Sequence, residues 1–106
     1  MNYCSFCYLL QHDNHNQILK RGENVTAIRK LRDVNNVNFL IISNKHIVNL
    51  KDRENSHIIT DIVDMANDIA GKNDWKLTVN NGSGANQTIF HLHAHIKSSG
   101  SMDSWF

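Results

Sequence analysis

Hydrophobic positions recur with the period of a helix over the longest regular stretch of the chain, between Ser56 and Gly71. The apolar residues of this stretch are Ile58, Ile59, Ile62, Val63, Met65, Ala66, Ile69 and Ala70. Their spacing predicts an amphipathic helix with one buried face. Asn55 or Ser56 is expected to cap its start, and Gly71 suits the position just beyond its end.

Strand patterns occur on both sides of this helix. Residues 17–21 and 24–31 surround the turn sequence RGEN, which predicts a hairpin. Residues 37–43, VNFLIIS, are apolar and β-branched and predict a buried strand. Residues 75–80 and 87–96 predict two further strands. A hairpin and strand followed by one long helix and two strands indicate an antiparallel α+β fold.

Length and charge narrow the class of protein. A chain of 106 residues predicts a single domain, residues 1–106. The formal net charge of +1 gives no indication of a nucleic-acid binder. No apolar run approaches the roughly 18 residues needed to span a bilayer, which predicts no membrane partner. Because the N-terminus also lacks a signal-peptide pattern, we expect a cytoplasmic protein.

Residues 5–11, SFCYLLQ, are predicted to form a short helix or turn. At its start, Cys4 and Cys7 stand in a Cys-x-x-Cys pattern. A reducing compartment disfavours a structural disulfide, so the pair is interpreted as half of a metal site or as a redox pair. No thioredoxin-like βαβ pattern surrounds the pair, which disfavours the redox alternative.

The stretch HLHAHIK places His91, His93 and His95 at alternate positions of the last predicted strand. They therefore share one face, about 6.5 to 7 Å apart, which suits three imidazoles acting on one bound group. An imidazole can be a nucleophile, a general acid or base, or a metal ligand near neutral pH. The alternative is a polar, solvent-facing row. The residues predicted to pack on the core from the opposite face are Phe90, Leu92, Ala94 and Ile96.

The loop NNGSGANQT, residues 80–88, runs directly into the histidine strand. Its glycines let backbone N–H groups approach an anion, and its Asn, Ser and Thr side chains add neutral donors. A phosphate is therefore expected between this loop and the histidines. The alternative is a simple turn, which is what most Asn-Gly-Ser stretches form.

Loop and strand together, VNNGSGANQTIFHLHAHIK, resemble the histidine triad (HIT) family, particularly its small phosphoramidase-like branch. The family motif is His-φ-His-φ-His-φ-φ, where φ is hydrophobic; residues 91–96 follow it and Lys97 breaks the last position. The positions that match the family's preceding loop are Asn80, Gly82, Gln87 and Thr88. NFLIISNKHI is similar to a family strand that ends in Lys-His-Ile, and CSFC resembles the Cys-x-x-Cys of zinc-containing members.

The resemblance implies a HIT-like antiparallel sheet with one long helix, in a two-fold symmetric homodimer. It also implies a hydrolase or nucleotidyltransferase for purine nucleotides, in which His93 attacks the α-phosphorus of a phosphoramidate, acyl-phosphate or polyphosphate. A covalent nucleotidyl-histidine would form, and water would hydrolyse it. His95 would contact the phosphate and assist the leaving group. The other phosphate contacts implied are those of Asn80, Asn86, Gln87 and Thr88.

A structural zinc ion is a further implication of the resemblance. The four ligands of zinc-containing relatives correspond to Cys4, Cys7, His46 and His91. Two thiolates and two imidazoles make a closed tetrahedral site, which would attach the N-terminus to the sheet. The alternative is two buried free cysteines and a His46 that merely ends a strand.

Some positions depart from the family pattern. Asn38 stands where members carry a histidine that supports the triad, and an amide makes only part of that hydrogen bonding. Lys30 stands where many members carry an acid for the ribose hydroxyls, although Asp33 is close. The aromatic C-terminus, Trp105 and Phe106, is expected either to reach toward the partner's pocket or to form a frayed tail.

Three functions stay open on the sequence. The first is a nucleotide hydrolase or nucleotidyltransferase that uses His93. The second is a non-catalytic purine-nucleotide- or zinc-binding protein that acts through partners, its catalysis weakened by Asn38 and Lys30. The third is a dinucleoside-polyphosphate hydrolase, which differs from the first only in its substrate.

Overall fold

A five-stranded antiparallel sheet with a helix on each face forms the framework of residues 4–12, 16–30 and 38–100, the part of the chain that the computed structural model describes. In chain order the elements are α1 (Ser5–Gln11), β1 (Ile18–Arg21), β2 (Val25–Arg29), β3 (Asn38–Ser43), α2 (Ile59–Ala70), β4 (Trp75–Thr78) and β5 (His93–Ser98). The strands lie side by side in the order β1-β2-β3-β5-β4. The predicted α+β class is confirmed.

The main core lies between α2 and one face of the sheet. Its buried residues include Ile62, Met65, Ala66 and Ile69 from α2, and Ala27, Phe39, Ile41, Ala94 and Ile96 from the strands. The helical pattern of the sequence thus predicted the buried face of α2 correctly. A smaller apolar cluster lies on the other face, where Phe6 and Leu9 of α1 pack against Ile28 and Ile42. That second face carries the histidines.

The start of α2 differs from the prediction. A single 3₁₀ turn, Ser56–Ile58, precedes the helix, and no side chain caps either element. Asn55 stands at the N-cap position of the turn, but its side-chain amide donates to the Asp52 carboxylate at 2.8 Å and makes no capping hydrogen bond. The end is as predicted: Gly71 has a positive φ of 59°, and its N–H donates to a carbonyl of the last turn at 3.0 Å.

The last strand is shorter at its start than the predicted 87–96, because β5 begins at His93 and extends to Ser98. The preceding backbone bends to meet the segment after β3, where the Leu92 N–H donates to the carbonyl of Ile47. Leu92, like the core positions of β5, is buried as predicted, but Phe90 is 50% exposed, so its predicted core position is wrong.

The predicted hairpin is confirmed by β1 and β2, which pair antiparallel. Gly22 occupies its turn, and a Cβ there would lie 2.7 Å from the Val25 carbonyl oxygen and 2.8 Å from the Met65 methyl. The Met65 methyl is the flexible end of a side chain and can move, but the backbone carbonyl of Val25 cannot, so the hairpin itself leaves no room for a side chain at Gly22. Within the described residues, no helix is both long and apolar enough to cross a membrane. Leu31, Asp33, Val37, Trp105 and Phe106 lie outside the described residues.

Candidate active site and metal centre

The three histidines of the motif lie on the α1 face of the sheet in three different environments. His91 is fully buried, His93 is 9% exposed, and His95 is half-buried. β5 is an interior strand between β3 and β4, and α1 covers its start, which explains the burial. The interpretation of the histidines as a solvent-facing row is therefore wrong.

A backbone hydrogen bond fixes the orientation and the tautomer of His93. Its Nδ1 lies 2.7 Å from the carbonyl oxygen of His91. Since a carbonyl only accepts, Nδ1 must carry the proton, and Nε2 keeps a free lone pair. In the described part of the chain, Nε2 has no hydrogen-bond partner. The ring of Phe6 packs edge-on against the imidazole, with centroids 5.2 Å apart. The result is an imidazole whose orientation is fixed through Nδ1 and whose Nε2 is not bonded to the described residues.

His95 lies beside His93, with ring centroids 5.2 Å apart. Burial lowers the pKa of His95 below its ordinary value, and the positive charge of Lys30 lowers it further, with a contribution from His93. The ring is therefore neutral at neutral pH when no anion is bound. A phosphate beside it would favour the protonated form, because opposite charges attract.

The charge on Lys30 makes the titration of His95 testable. Replacing this residue, Lys30→Gln, removes a cation that opposes protonation, so the pKa of His95 is expected to rise. Burial remains in the variant, so the pKa should stay below the ordinary value of about 6.5. NMR titration of the imidazole Cε1–H signals measures both proteins. An unchanged or lower pKa in the variant would contradict this placement of the charge.

The loop before the histidines is held from inside by Gln87, which is buried. Its side-chain oxygen accepts from the Gly82 N–H at 2.8 Å and from the Asn49 amide at 2.9 Å. Its side-chain nitrogen donates to the carbonyls of Val48 at 2.7 Å and Ile89 at 3.0 Å. Both amide hydrogens are thus committed to the protein, and Gln87 has none left for the phosphate contact implied for it.

Asn80, Asn86 and Thr88 keep their polar groups available. Thr88 and Asn86 are exposed and Asn80 is half-buried. None of the three side chains hydrogen-bonds to another described residue. Asn86 ends a 3₁₀ turn, Ser83–Ala85, in the left-handed conformation with φ 68°. The loop thus offers polar side chains at its surface, with Gln87 beneath them.

Two glycines of this loop form a matched pair for testing its backbone. A Cβ at Gly82 or Gly84 would meet no atom within 4 Å, but only Gly82 has a positive φ, +100°. With ψ at 158°, that conformation is essentially restricted to glycine. Gly82→Ala is expected to destabilise the protein by about 1 to 3 kcal/mol, and Gly84→Ala to have little effect. Urea unfolding measures both. Equal losses of stability in the two variants would contradict this account of the loop.

Four side chains meet at the start of β5 in an arrangement that could hold a metal ion. The sulfur atoms of Cys4 and Cys7 and ring nitrogens of His46 and His91 all lie within 4.8 Å of one another. The Cys7 sulfur lies 3.2 Å from Nδ1 of His46, and the Cys4 sulfur lies 3.3 Å from Nδ1 of His91. Zinc bonds of about 2.0 to 2.3 Å at tetrahedral angles place ligand atoms roughly 3.3 to 3.8 Å apart. The residues present therefore fit zinc.

Local structure orients the donors of this cluster. Cys4 caps α1, its sulfur accepting the N–H of Cys7 at 3.3 Å, so both thiols lie on one turn. The His91 Nε2–H donates to the carbonyl of Ser43 at 2.7 Å, which leaves Nδ1 as the ligand atom. Burial lowers the pKa of His91. Burial and the neighbouring Cys4 raise the pKa of the Cys7 thiol to about 11, so a cation must displace its proton.

A cavity against α1 could not be found from the sequence, and Phe6 separates it from His93. Its volume is about 350 Å³, within the range of small-molecule sites. The lining residues are Ser5, Phe6, Tyr8, Leu9, His12, Gln17 and Ile28. The rings of Tyr8 and His12 stack at 4.2 Å on its outer wall, where both side chains are exposed. Apolar positions on the predicted short helix were the available signal, but their pairing with β2 is not local in sequence.

Comparison with known proteins supports this architecture. Residues 3–105 match the family profile described as scavenger mRNA decapping enzyme C-term binding. An uncharacterized HIT-like protein of Chlamydia muridarum is 34% identical over 74 residues, which are 64% of this chain and 59% of that protein. The chain thus spans less than two thirds of that relative.

Solved structures resemble the chain over most of its length. A HIT family hydrolase from Clostridium thermocellum is 34% identical with a TM-score of 0.77, covering 98% of this chain and 95% of that one. A Zn-bound histidine triad family protein from Mycobacterium smegmatis shares the fold, with 24% identity and a TM-score of 0.74, covering 97% and 79%. Together with the family profile, these likenesses show that the chain belongs to the histidine triad family.

Proposed function

We propose that this chain is a nucleotide hydrolase that attacks an α-phosphorus through His93 and passes through a covalent nucleotidyl-histidine. The observation that carries the proposal is the hydrogen bond from His93 Nδ1–H to the His91 carbonyl at 2.7 Å. It fixes the tautomer in which Nε2 is a nucleophile. The resemblance to the hydrolase of Clostridium thermocellum supports the reaction class.

In the first step, the Nε2 lone pair of His93 forms a bond to the α-phosphorus of the substrate. The bond from phosphorus to the leaving group breaks, and the leaving group departs with its electron pair and takes up a proton. His93 then carries a positive charge, which the carbonyl bonded to Nδ1–H stabilises. In the second step water attacks the same phosphorus, the bond to Nε2 breaks, a proton of the water passes to His95, and the free imidazole of His93 returns.

His95 is proposed to bind the phosphate and to deliver the proton to the leaving group. It is neutral in the free protein, since burial and Lys30 lower its pKa. The substrate phosphate reverses that balance, so the ring gains its proton when it is needed.

The loop is proposed to stabilise charge on the phosphate oxygens through Asn80, Asn86 and Thr88. Donors of this kind each contribute about 3 kcal/mol to transition-state stabilisation in characterised enzymes. Gln87 serves the same end indirectly, because it holds the loop backbone against residues 48–49. In this proposal Gln87 is a positioning residue, in place of the direct phosphate contact predicted for it.

The nucleoside is proposed to occupy the cavity between α1 and β2. Phe6 lines this cavity and also packs against the ring of His93. A base bound in the cavity would therefore belong to a nucleotide whose α-phosphate lies at His93. Ile28 pairs with Leu40, which pairs with His95, so the cavity and the histidines share one row of the sheet. Apolar and aromatic walls suit a purine.

Cys4, Cys7, His46 and His91 are proposed to hold zinc in a structural site, as the fit of their donor atoms and the Zn-bound relative from Mycobacterium smegmatis suggest. Zinc would stabilise the fold there by holding α1 to the start of β5. The chain's own contribution is that His91 also carries the carbonyl that orients His93. A homodimer, a single domain over residues 1–106 and a cytoplasmic location complete the proposal.

A comparison of two substrates, together with AMP binding, separates this proposal from its two alternatives. Turnover of adenosine 5′-phosphoramidate with a higher kcat/KM than diadenosine tetraphosphate would support the phosphoramidase. The opposite order would favour the dinucleoside-polyphosphate hydrolase. AMP binding measured by calorimetry, without turnover of either compound, would contradict an enzyme and support the binding protein.

A further inference from the structure

The strand register places basic residues in a row next to the histidines. Lys97 pairs with Asn38 of β3 on one side and with Lys76 of β4 on the other. Directly paired residues of antiparallel strands point to the same face. Lys97 is two residues beyond His95 in β5, so this face is the one that carries the histidines. Lys76 and Lys97 are both exposed there.

Lys30, the residue that follows β2, extends this row beyond β3. The register of β2 and β3 ends at Arg29 opposite Phe39, so the next position places Lys30 opposite Asn38. Alternation puts it on the face of Ile28, which lies in the same row as His95. The effect of the Lys30 charge on His95 agrees with this placement. Lys30, Asn38, Lys97 and Lys76 are called the basic row below.

The lysines of the basic row form no ion pair with a carboxylate in the part of the chain that the structure describes. Among the described residues, the ion pair found is Lys20–Asp68, and none involves a lysine of the row. Adjacent strands are about 4.8 Å apart, so three ammonium groups attach to the sheet within roughly 15 Å. Like charges directly opposite each other, as at Lys97 and Lys76, are destabilising. A bound anion would remove this repulsion.

We propose that the basic row binds a second phosphate of the substrate, so that the preferred ligand is a nucleotide with a phosphate group beyond the one at His93. This inference rests on the proposed function, because it uses the same site. The row lies about 7 Å along β5 from His95, which leaves room for a separate group. The second phosphate has two possible sources: a phosphate on the ribose, or a phosphate chain on the leaving group.

Calorimetric titration tests the row with three ligands: AMP, adenosine 3′,5′-bisphosphate and diadenosine tetraphosphate. Wild-type protein is expected to bind at least one of the latter two about tenfold more tightly than AMP, a difference of about 1.4 kcal/mol. Tighter binding of the bisphosphate identifies the ribose as the source, and tighter binding of the tetraphosphate identifies the leaving group. Binding no tighter than that of AMP by both would overturn the proposal.

Three variants locate the effect on the sheet: Lys97→Gln, Lys76→Gln and Lys30→Gln. Each is expected to reduce the advantage over AMP by threefold or more, while AMP binding itself changes less. The control is Lys45→Gln, which removes the same charge from a side chain that contacts Asn55, away from the row. Thermal unfolding confirms that each variant is folded. An advantage that survives all three changes, or that Lys45→Gln reduces equally, would overturn the proposal.

These binding measurements are separate from catalysis. A protein that forms no nucleotidyl-histidine but keeps the lysine-dependent advantage would refute the proposed hydrolase and leave the basic row in place. A protein that turns over a phosphoramidate but binds neither of the two larger ligands more tightly than AMP would support the hydrolase and refute the basic row.

Discussion

Replacing His93 with alanine is expected to lower turnover of adenosine 5′-phosphoramidate by a factor on the order of 10,000 or more. The residue supplies the nitrogen that forms the bond to phosphorus, and no other described imidazole has both a fixed tautomer and a free nitrogen in this pocket. Steady-state hydrolysis, with AMP formation followed by chromatography, measures the effect. The fold should survive, because the ring is at the edge of the smaller apolar cluster.

The matched control is His57→Ala, which removes an exposed imidazole that borders a different cavity, on the α2 side. Its turnover is expected to equal that of wild type. AMP binding to both variants should persist, since the cavity and the loop remain. Substantial turnover by folded His93→Ala protein would mean that another group, or water alone, attacks the phosphorus.

Replacing Cys7 with serine is expected to abolish zinc binding and to lower the thermal midpoint by about 10 to 20 °C. A ligand present at about a hundred times its dissociation constant stabilises a fold by about 2.7 kcal/mol, and 1 kcal/mol shifts the midpoint of a small domain by roughly 4 to 8 °C. Metal analysis and calorimetry measure the two quantities. Turnover should fall as well, because His91 is both a ligand of the cluster and the acceptor for His93.

Wild-type protein treated with a chelator should unfold at the same temperature as Cys7→Ser, and zinc should restore the wild type alone. His57→Ala serves again as the control, because it removes an imidazole without touching the cluster. The metal site would be contradicted if purified wild-type protein contained no zinc and added zinc did not change its thermal midpoint. The two cysteines would then be partly exposed free thiols.

The parts of the site that depend on local pattern could be predicted from the sequence. Alternation placed His91, His93 and His95 on one face, and helical spacing placed Ile62 and Ile69 in the core. Both periods are properties of a continuous segment, so they need no knowledge of the fold.

The parts that depend on contacts between distant segments could not be predicted from periodicity. The ligand set spans Cys4 to His91, and only the resemblance to a family connected its members. The start of β5 was misplaced because contacts with residues 47–49 bend the backbone after Gln87. The resemblance implied a phosphate contact for Gln87, but its side-chain hydrogen bonds connect the loop to residues 48 and 49 and are visible only in the folded chain. The basic row is visible only once the register is known.

A covalent intermediate on His93 would change the mass of the protein during turnover, and this mass can be measured. Wild type is mixed with adenosine 5′-phosphoramidate, quenched in alkaline denaturant that preserves a nitrogen–phosphorus bond, and weighed intact and after digestion. We expect one added adenylyl group that appears within the first turnover, decays afterwards and maps to His93. Turnover without this adduct, or an adduct on a different residue, would contradict the proposed nucleophile.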